Sequence, residues 1–248
     1  MRVPERSAGI RLAYVTPSHQ FPLGVTMSLG RRLQLLEWAR RTGALVVEDD
    51  YDSEYRYKGT PLPALQGLDR HGVVATTGSF SKVLFPALRL GFVVVPAALV
   101  DRLTALQSVC GPHPPVAEQA VLCDFIAGGH FHRHVRRMRQ VYGQRLEALQ
   151  AAVRTRLAGR LELSPIEAGL QTAGMLTSGP SSDAVAAAAA TVGIDVTPLT
   201  RYARRPLEVD GMLLGFAAVH EGEIAQGVER LAQVCDGLDR ARKGRRKG

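Results

Sequence analysis

Residues 77–82 of this chain read TGSFSK, and residues 46–51 before them read VVEDDY. The first stretch places Lys82 in a turn of small hydroxyl residues and one glycine, where backbone N–H groups can approach an anion. Residues 88–91, LRLG, add Arg89, whose guanidinium can bind an anion through two parallel hydrogen bonds. Lys82 is placed to react with a carbonyl carbon. An aldehyde that also carries a phosphate fits this set of groups.

The hydrophobic pattern around these stretches predicts an α/β fold. Apolar β-rich runs alternate with amphipathic segments in the first third of the chain, which is typical of βαβ units and a mostly parallel sheet. Strands are predicted over residues 10–15, 44–48, 73–77 and 90–95, with helices over 28–42, 97–108, 115–126 and 130–157. Gly43 suits the C′ position of the first helix.

The last third predicts a small α+β domain. Its strands are expected over residues 161–163, 175–177 and 212–218, and its helices over 182–191 and 221–238. Residues 184–190 are low in complexity, but their alanines favour helix over linker.

Composition gives further bounds. The 248 residues are 46% apolar and 22% charged, as expected for a globular protein with a sizeable core. No run approaches about eighteen apolar residues and the N-terminus has no apolar signal core, so we expect a cytoplasmic protein without a membrane partner. Cys110, Cys123 and Cys235 lack CxxC spacing and are expected to be buried thiols of a reducing compartment, with no metal site.

The formal net charge of +8 is concentrated near the C-terminus. Such blocks of like charge are usually unstructured, so residues 241–248 are expected to form a disordered basic tail. A DNA-binding arm is the alternative interpretation.

Several motifs carry a family resemblance. Residues 14–92 resemble the cofactor-binding half of fold-type I pyridoxal-phosphate enzymes. More narrowly, TPSHQFP at 16–22, EDDYDSEYRY at 48–57 and GSFSK at 78–82 resemble the aminotransferase-like domain of the MocR/GabR transcription regulators. The similarity continues through GHFHRHVRRMR at 129–139 and LLGFA at 213–217.

The resemblance implies a domain organisation. Residues 1–130 would be an incomplete large domain of a fold-type I pyridoxal-phosphate-dependent transferase, with a mostly parallel sheet. Residues 131–240 would be a smaller α+β domain that starts with a long interdomain helix. In the family, a glycine-containing turn that cradles the phosphate precedes the TPSHQ motif, and its absence from this sequence suggests truncation at the N-terminus and exposed apolar surface.

The resemblance also implies catalytic roles. Asp49 would lie under the pyridine nitrogen and Tyr51 beside the ring hydroxyl. A carboxylate there keeps the nitrogen protonated, and the cationic ring withdraws electrons from the bond broken at the substrate α-carbon. Lys82 would form a Schiff base with pyridoxal 5'-phosphate and then, as a free amine, move the proton. The other cofactor-binding residues implied are His19, Ser79, Ser81 and Arg89.

Each motif also has a simpler interpretation. Clustered acids such as those at 49–54 usually form a turn, and a lone Ser-x-Ser-Lys is usually a loop. Their occurrence together with Arg89 favours the cofactor site.

The substrate side departs from the common pattern. Leu213 occupies the position where many aminotransferases carry an arginine for the substrate α-carboxylate. Arg201 is the nearest alternative partner for that carboxylate. The simpler interpretation is that Arg201 is a plain surface cation. Phe21 replaces the asparagine that contacts the ring hydroxyl in most aminotransferases, which favours sensing over efficient turnover.

Two functions follow. The chain transaminates an amino acid or amine, or it is the effector-sensing domain of a MocR/GabR-type regulator. Under either, we expect a small-molecule amino acid or amine as ligand and a homodimer as the assembly. DNA would be bound only through a winged-helix domain that is absent from this sequence.

Overall fold

A computed structural model of the chain describes residues 9–111 and 113–245. The chain divides into two compact units. The first comprises Met1–Phe21 and Val25–Arg136, and the second comprises Pro22–Gly24 and Arg137–Gly248. The division falls between Arg136 and Arg137, within a long helix.

The first unit contains a four-stranded sheet with the strand order β1-β2-β3-β4. Its strands are β1 (Leu12–Val15), β2 (Leu45–Asp50), β3 (Val74–Ser79) and β4 (Gly91–Val94). The pairings of β1 with β2 and of β2 with β3 are parallel, whereas β4 runs antiparallel to β3. The mostly parallel sheet is therefore present, with one antiparallel edge strand.

Among the described residues, five α-helices lie wholly within the first unit. They are α1 (Leu29–Thr42), α2 (Leu65–Leu68), α3 (Phe80–Val83), α4 (Ala97–Cys110) and α5 (Val116–Ala127). The long helix α6 (His130–Arg156) follows them. Gly43 ends α1 with φ 65°, a left-handed conformation that glycine adopts without steric cost, as the sequence predicts.

One face of the first sheet is covered by α1. Leu35, Leu36, Trp38 and Ala39 of α1 form a buried cluster with residues that include Val46 of β2. The three- and four-residue spacing on α1 places these side chains along one stripe of the helix. We call the side of the sheet that carries Val46 and Glu48 the covered face.

The opposite side of the sheet carries Leu12, Tyr14, Asp49 and Thr77, and we call it the open face. Leu12 is 54% exposed and Tyr14 is 61% exposed. Successive residues of a strand point to opposite sides, so neighbours such as Glu48 and Asp49 have different surroundings.

Helices α4 and α5 expose much of their apolar surface. Of the described residues in these two helices, only Leu122 is buried. Cys110 and Cys123 are exposed and Cys235 is buried, so the prediction of three buried thiols is wrong for the first two. Both lie on helices whose apolar sides have no cover within the described residues, a feature that spacing alone does not reveal.

The second unit contains an antiparallel sheet with the order β5-β6-β8-β7. Its elements are β5 (Leu161–Leu163), β6 (Gln171–Leu176), α7 (Ser182–Ala190), β7 (Thr197–Pro198), β8 (Gly211–Gly215) and α8 (Glu221–Arg245). Its buried residues include Leu149 of α6, Phe216 and Leu231.

Helix α8 is longer than the sequence pattern indicates. It continues to Arg245, so residues 241–245 are helical and the prediction of a disordered tail is wrong for them. Arg160 forms ion pairs with Asp236 at 2.8 Å and Asp239 at 3.2 Å on α8. Residues 246–248 of the predicted tail lie outside the described residues. None of the helices in the described ranges has the length and apolar character needed to cross a membrane.

Candidate functional site

The C-terminal ends of β2 and β3 bring two of the predicted motifs to the same edge of the sheet. The strands are parallel, with Asp49 opposite Thr77 and Asp50 opposite Gly78. The acidic motif therefore leaves the sheet beside the turn that carries Lys82. In open α/β sheets, ligands bind outside the carboxyl ends of the strands.

Asp49 lies half-buried on the open face and is held by two hydroxyl groups. Thr77 Oγ1 donates to Asp49 Oδ1 at 3.2 Å, and the Tyr14 hydroxyl donates to Asp49 Oδ2. The hydrogen bond to Asp49 is the main cause that raises the pKa of Tyr14 to about 12, and burial adds to it. These two donors orient a carboxylate that solvent or a ligand can still reach.

Tyr51 lies just past the end of β2. Its hydroxyl donates to the His19 carbonyl oxygen at 2.8 Å, and the hydroxyl oxygen lies 3.4 Å from His19 Nδ1. Burial, followed by the negative charges of Asp52 and Asp49, raises the pKa of Tyr51. Tyr51 therefore stays a neutral phenol that can donate a hydrogen bond.

His19 is buried and bonded to an acid that the sequence analysis did not select. His19 Nδ1 lies 2.7 Å from Asp52 Oδ2, and both residues are at most 5% exposed. Burial raises the pKa of Asp52, and the hydrogen bond from His19 offsets only part of that effect.

Lys82 lies on the short helix α3, directly after β3. Ser79 caps this helix, and its hydroxyl oxygen accepts the Ser81 N–H at 3.2 Å. Lys82 and Arg89 are exposed, and in the part of the chain that the structure describes neither side chain forms a hydrogen bond or ion pair. Both cations are thus available to a ligand.

Two side chains contact the backbone of the turn that carries Lys82. The Val83 carbonyl oxygen accepts a hydrogen bond from the Tyr55 hydroxyl at 2.8 Å and lies 3.0 Å from His134 Nε2. Tyr55 is fully buried and belongs to the same acidic motif as Asp49. The two motifs are therefore connected by a hydrogen bond between side chain and backbone.

Gly78 permits close aromatic packing beside this turn. A Cβ atom at Gly78 would lie 2.4 Å from Cζ of Phe92, which is its partner on β4. The Phe92 ring also packs against Phe80, with 5.8 Å between the ring centroids. A larger residue at position 78 would displace the ring or the strand that leads into Ser79.

Arg89 adopts a strained backbone conformation. Its φ is 51°, and among the described residues it is the one non-glycine residue with positive φ. The left-handed region costs roughly 1–2 kcal/mol for a residue with a Cβ atom. Such strain is found more often at ligand sites than elsewhere, so the conformation supports a binding role for Arg89.

Two residues predicted on the substrate side belong to the second unit. Arg201 is exposed on a 3-10 turn, Leu199–Tyr202, and Leu213 lies within β8. Phe21, at the end of the TPSHQFP motif, is 37% exposed. The roles given to these positions stay predictions.

The structure adds four residues to those selected from the sequence, namely Tyr14, Asp52, Tyr55 and Thr77. Tyr14 and Thr77 lie on the open face with Asp49, a placement that depends on the register of the assembled sheet. Asp52 and Tyr55 gave no signal of their own in the sequence, because their partners His19 and Val83 are distant along the chain. No cluster of three or more His, Cys, Asp or Glu side chains suited to a metal ion occurs within residues 9–111 and 113–245.

The parallel sheet with its lysine-bearing turn, followed by the small antiparallel unit, is the architecture of fold-type I pyridoxal-phosphate-dependent transferases. The chain belongs to the aminotransferase class I and II family, whose profile matches residues 12–205. The resemblance predicted from the motifs is thereby confirmed.

Relatives include both regulators and enzymes. The chain is 41% identical to a probable rhizopine catabolism regulatory protein, MocR, of Rhizobium meliloti, over 92% of this chain and 46% of that protein. It is 36% identical to an uncharacterised HTH-type transcriptional regulator, YhdI, of Bacillus subtilis, over 89% and 47%. The chain thus spans about half the length of these relatives.

A solved enzyme has the same fold. The kynurenine aminotransferase of Pyrococcus horikoshii, determined with PMP, matches with a TM-score of 0.81 and 30% identity. The match covers 92% of this chain and 56% of that enzyme.

Proposed function

We propose that the first unit binds pyridoxal 5'-phosphate at the ends of β2 and β3, bonds its aldehyde through Lys82, and transfers amino groups from an amino acid or amine. The observation that carries this proposal is the arrangement of Asp49 and Lys82. The half-buried Asp49 carboxylate lies on β2 and accepts hydrogen bonds from two hydroxyl groups. Lys82, which has no hydrogen-bond or ion-pair partner among the described residues, follows the neighbouring strand β3.

The residues present fit this cofactor. The Asp49 carboxylate suits a protonated ring nitrogen, and the Tyr51 phenol suits a polar ring substituent. Ser79, Ser81 and Arg89 supply hydroxyl, backbone and guanidinium donors for a phosphate. The unpaired cation of Arg89 is consistent with an anionic ligand.

When bound, pyridoxal phosphate supplies an electron sink for the bond broken at the substrate α-carbon. The residues of this chain hold and orient it. Asp49 keeps a proton on the ring nitrogen, and its own position is fixed by Tyr14 and Thr77. Lys82, once released from the cofactor as a free amine, would take the proton from the α-carbon and return it.

The test uses absorption spectroscopy of purified protein mixed with pyridoxal phosphate. We expect a visible band that is shifted from that of the free cofactor in the wild type and in Lys58→Ala. Lys58 is an exposed lysine outside the site and serves as the matched control. The band should be absent in Lys82→Ala, and its persistence there would refute the proposed role of Lys82.

A second function, effector sensing without turnover, is favoured by the relatives. The two regulators above are more similar to this chain than the enzyme is. Leu213 and Phe21, at positions where many aminotransferases carry polar residues, favour the same function. A panel of amino acids and amines separates the two functions. Transamination converts the cofactor to pyridoxamine phosphate and releases a carbonyl product, whereas sensing changes the spectrum without product.

We further propose that Arg201 binds the carboxylate of that amino acid. The test compares Arg201→Ala with Arg205→Ala, a change to another exposed arginine of the second unit. A specific role weakens the response to amino acids only in the first variant, and leaves the response to simple amines unchanged in both. Equal losses in the two variants would contradict the role.

The proposed assembly is a homodimer in the cytoplasm. Val109 and Val116 on α4 and α5 are 84% and 79% exposed, and pairing with a second copy would bury such apolar surface. The cysteines are unpaired, as is usual in a reducing compartment. Light scattering at several protein concentrations tests the dimer, and a monomer throughout would contradict it.

A further inference from the structure

The bond between the buried side chains of His19 and Asp52 is not explained by the cofactor-binding role that the resemblance implies for His19. The two residues are 5% and 3% exposed, and His19 Nδ1 lies 2.7 Å from Asp52 Oδ2. They come from distant parts of the chain, the loop after β1 and the turn after β2. Their bond therefore joins two segments that both border the proposed cofactor site.

This pair is costly as a purely structural feature. Asp52 Oδ1 is buried and has no hydrogen-bond partner within the described part of the chain. A buried carboxylate with one unpaired oxygen destabilises a fold unless other contacts compensate, and apolar residues of similar size often serve as well. The cost directs attention to what the pair holds in place.

Tyr51 is bonded to the same histidine. While the Asp52 carboxylate is ionised it can only accept a hydrogen bond, so its bond to His19 then uses a proton on His19 Nδ1. That nitrogen then has no lone pair for Tyr51, and the Tyr51 hydroxyl donates to the His19 carbonyl oxygen at 2.8 Å. His19 therefore contacts the Asp52 carboxylate with its ring and the Tyr51 phenol with its backbone carbonyl oxygen.

The backbone of this loop is fixed by other groups. The Pro17 carbonyl accepts hydrogen bonds from the Arg32 guanidinium at 2.9 Å and from the Met27 N–H at 2.8 Å. Gln20 and Val25 form a β-bridge on the other side of His19. The loop is held on both sides of His19, and the bond from its ring to Asp52 is the contact that ties His19 itself to the turn that carries Tyr51.

The turn that carries Asp52 is connected in turn to Lys82. The Tyr55 N–H donates to the Asp52 carbonyl at 3.1 Å, and the Tyr55 hydroxyl donates to the Val83 carbonyl at 2.8 Å. A displacement of the turn that carries Asp52 would therefore also displace α3, the helix that carries Lys82.

We propose that Asp52 is a positioning residue that acts through His19 to fix the Tyr51 phenol beside the cofactor. This role rests on the proposed function, because a fixed Tyr51 phenol serves the site only if pyridoxal phosphate binds there. Asp52 itself need not contact the cofactor.

The experiment compares Asp52→Ala, Asp52→Asn and Glu48→Gln. An asparagine oxygen still accepts the His19 N–H, so Asp52→Asn is the conservative rescue. Glu48 is an equally buried carboxylate on the covered face, and changing it controls for general loosening of the fold. The first readout is the NMR signal of the Tyr51 ring in cofactor-free protein, assigned among the six tyrosines by Tyr51→Phe. The second is the affinity for pyridoxal phosphate.

In Asp52→Ala, we expect a displaced Tyr51 signal and an affinity about tenfold weaker. Asp52→Asn should keep both near the wild-type values, and Glu48→Gln should lower stability while leaving both unchanged. The proposal is overturned if Asp52→Ala leaves the Tyr51 signal in place, or if Glu48→Gln displaces it equally. If wild-type protein binds no cofactor, the proposed function fails, while the Tyr51 signal still decides the positioning role.

Discussion

The covered and open faces of the first sheet use neighbouring carboxylates of β2 in opposite ways. On the covered face, Glu48 is fully buried and accepts hydrogen bonds from the Leu65 N–H, the Gln66 N–H and the Thr76 hydroxyl. On the open face, Asp49 is half-buried and accepts from two hydroxyls. One acid is surrounded by the fold, and the other stays accessible from the open face.

Arg32 shows how completely the covered face is satisfied. Its buried guanidinium donates to the carbonyls of Met27, Pro63 and Pro17, and it lies 3.9 Å from Glu48. Burial lowers the pKa of Arg32, and the charge of Glu48 opposes that shift. Strand alternation alone separates the fully buried Glu48 from the half-buried Asp49 one residue later.

The largest expected effect is loss of stability on the covered face. Glu48→Ala should lower the free energy of unfolding by about 3 kcal/mol, because it leaves the Leu65 and Gln66 N–H groups without an acceptor and the buried Arg32 guanidinium without its counter-charge. Asp49→Ala should cost about 1 kcal/mol or less, because solvent reaches its partners. Urea unfolding measures both. Equal losses would contradict the distinction between the faces.

An exposed ion pair provides the control for that measurement. Arg40 pairs with Glu37 at 2.8 Å on the solvent side of α1. Removal of a solvent-exposed pair of this kind should leave the unfolding midpoint of Arg40→Ala at the wild-type value.

The next effect concerns the phenol on the open face. The hydrogen bond to Asp49 raises the pKa of Tyr14 to about 12, so Asp49→Asn should return it toward the ordinary value near 10. Stopped-flow pH jumps with tyrosinate absorbance measure the shift before the chain unfolds, and Tyr14→Phe identifies the signal. Glu48→Gln serves as the control on the other face. An unchanged Tyr14 pKa in Asp49→Asn would show that the bond is not formed in solution.

The pH dependence of stability tests the burial of Asp52. Burial raises its pKa in the folded chain above the ordinary 3.8, so the folded state binds more protons than the unfolded state between those two values. The free energy of unfolding contributed by Asp52 therefore falls as pH rises from 3.8 to the raised pKa. Across that pH window, the free energy of unfolding of the wild type should fall relative to that of Asp52→Asn. Above the window, the two curves of free energy against pH should run parallel. The opposite slope would contradict a raised pKa.

The smallest effect comes from the strained turn before β4. Arg89→Gly and Arg89→Ala remove the same guanidinium, but only glycine adopts φ 51° without strain. The glycine variant should be more stable by about 1 kcal/mol in chemical denaturation. Both variants should bind inorganic phosphate and pyridoxal phosphate more weakly than wild type. Equal stability would mean that the turn relaxes in solution.

The sequence was sufficient for those parts of the fold that depend on local pattern. The strand around Val46 and the helix that ends at Gly43 follow from periodicity and a glycine cap. The antiparallel direction of β4 could not be predicted, because the residue pattern of a single edge strand does not show in which direction it runs relative to its neighbour. The exposure of Cys110 was missed because apolar spacing does not reveal whether a partner surface is present.

The site shows the same limit. Asp49 and Lys82 could be selected because short motifs carry them, and parallel pairing brings the two motifs together. In the sequence Asp52 is one acid among several, since its role depends on His19, which is distant along the chain. The register that places Tyr14 beside Asp49 is likewise a property of the assembled sheet.

The most direct test of the central claim is chemical trapping of the cofactor. The chain has four lysines, at positions 58, 82, 243 and 247. Protein incubated with pyridoxal phosphate, reduced with borohydride and digested should carry the phosphopyridoxyl group on Lys82 at substoichiometric cofactor, with little on the others. Mass spectrometry of the peptides gives the distribution. Label spread evenly over the exposed lysines, or concentrated at Lys58, would contradict the account.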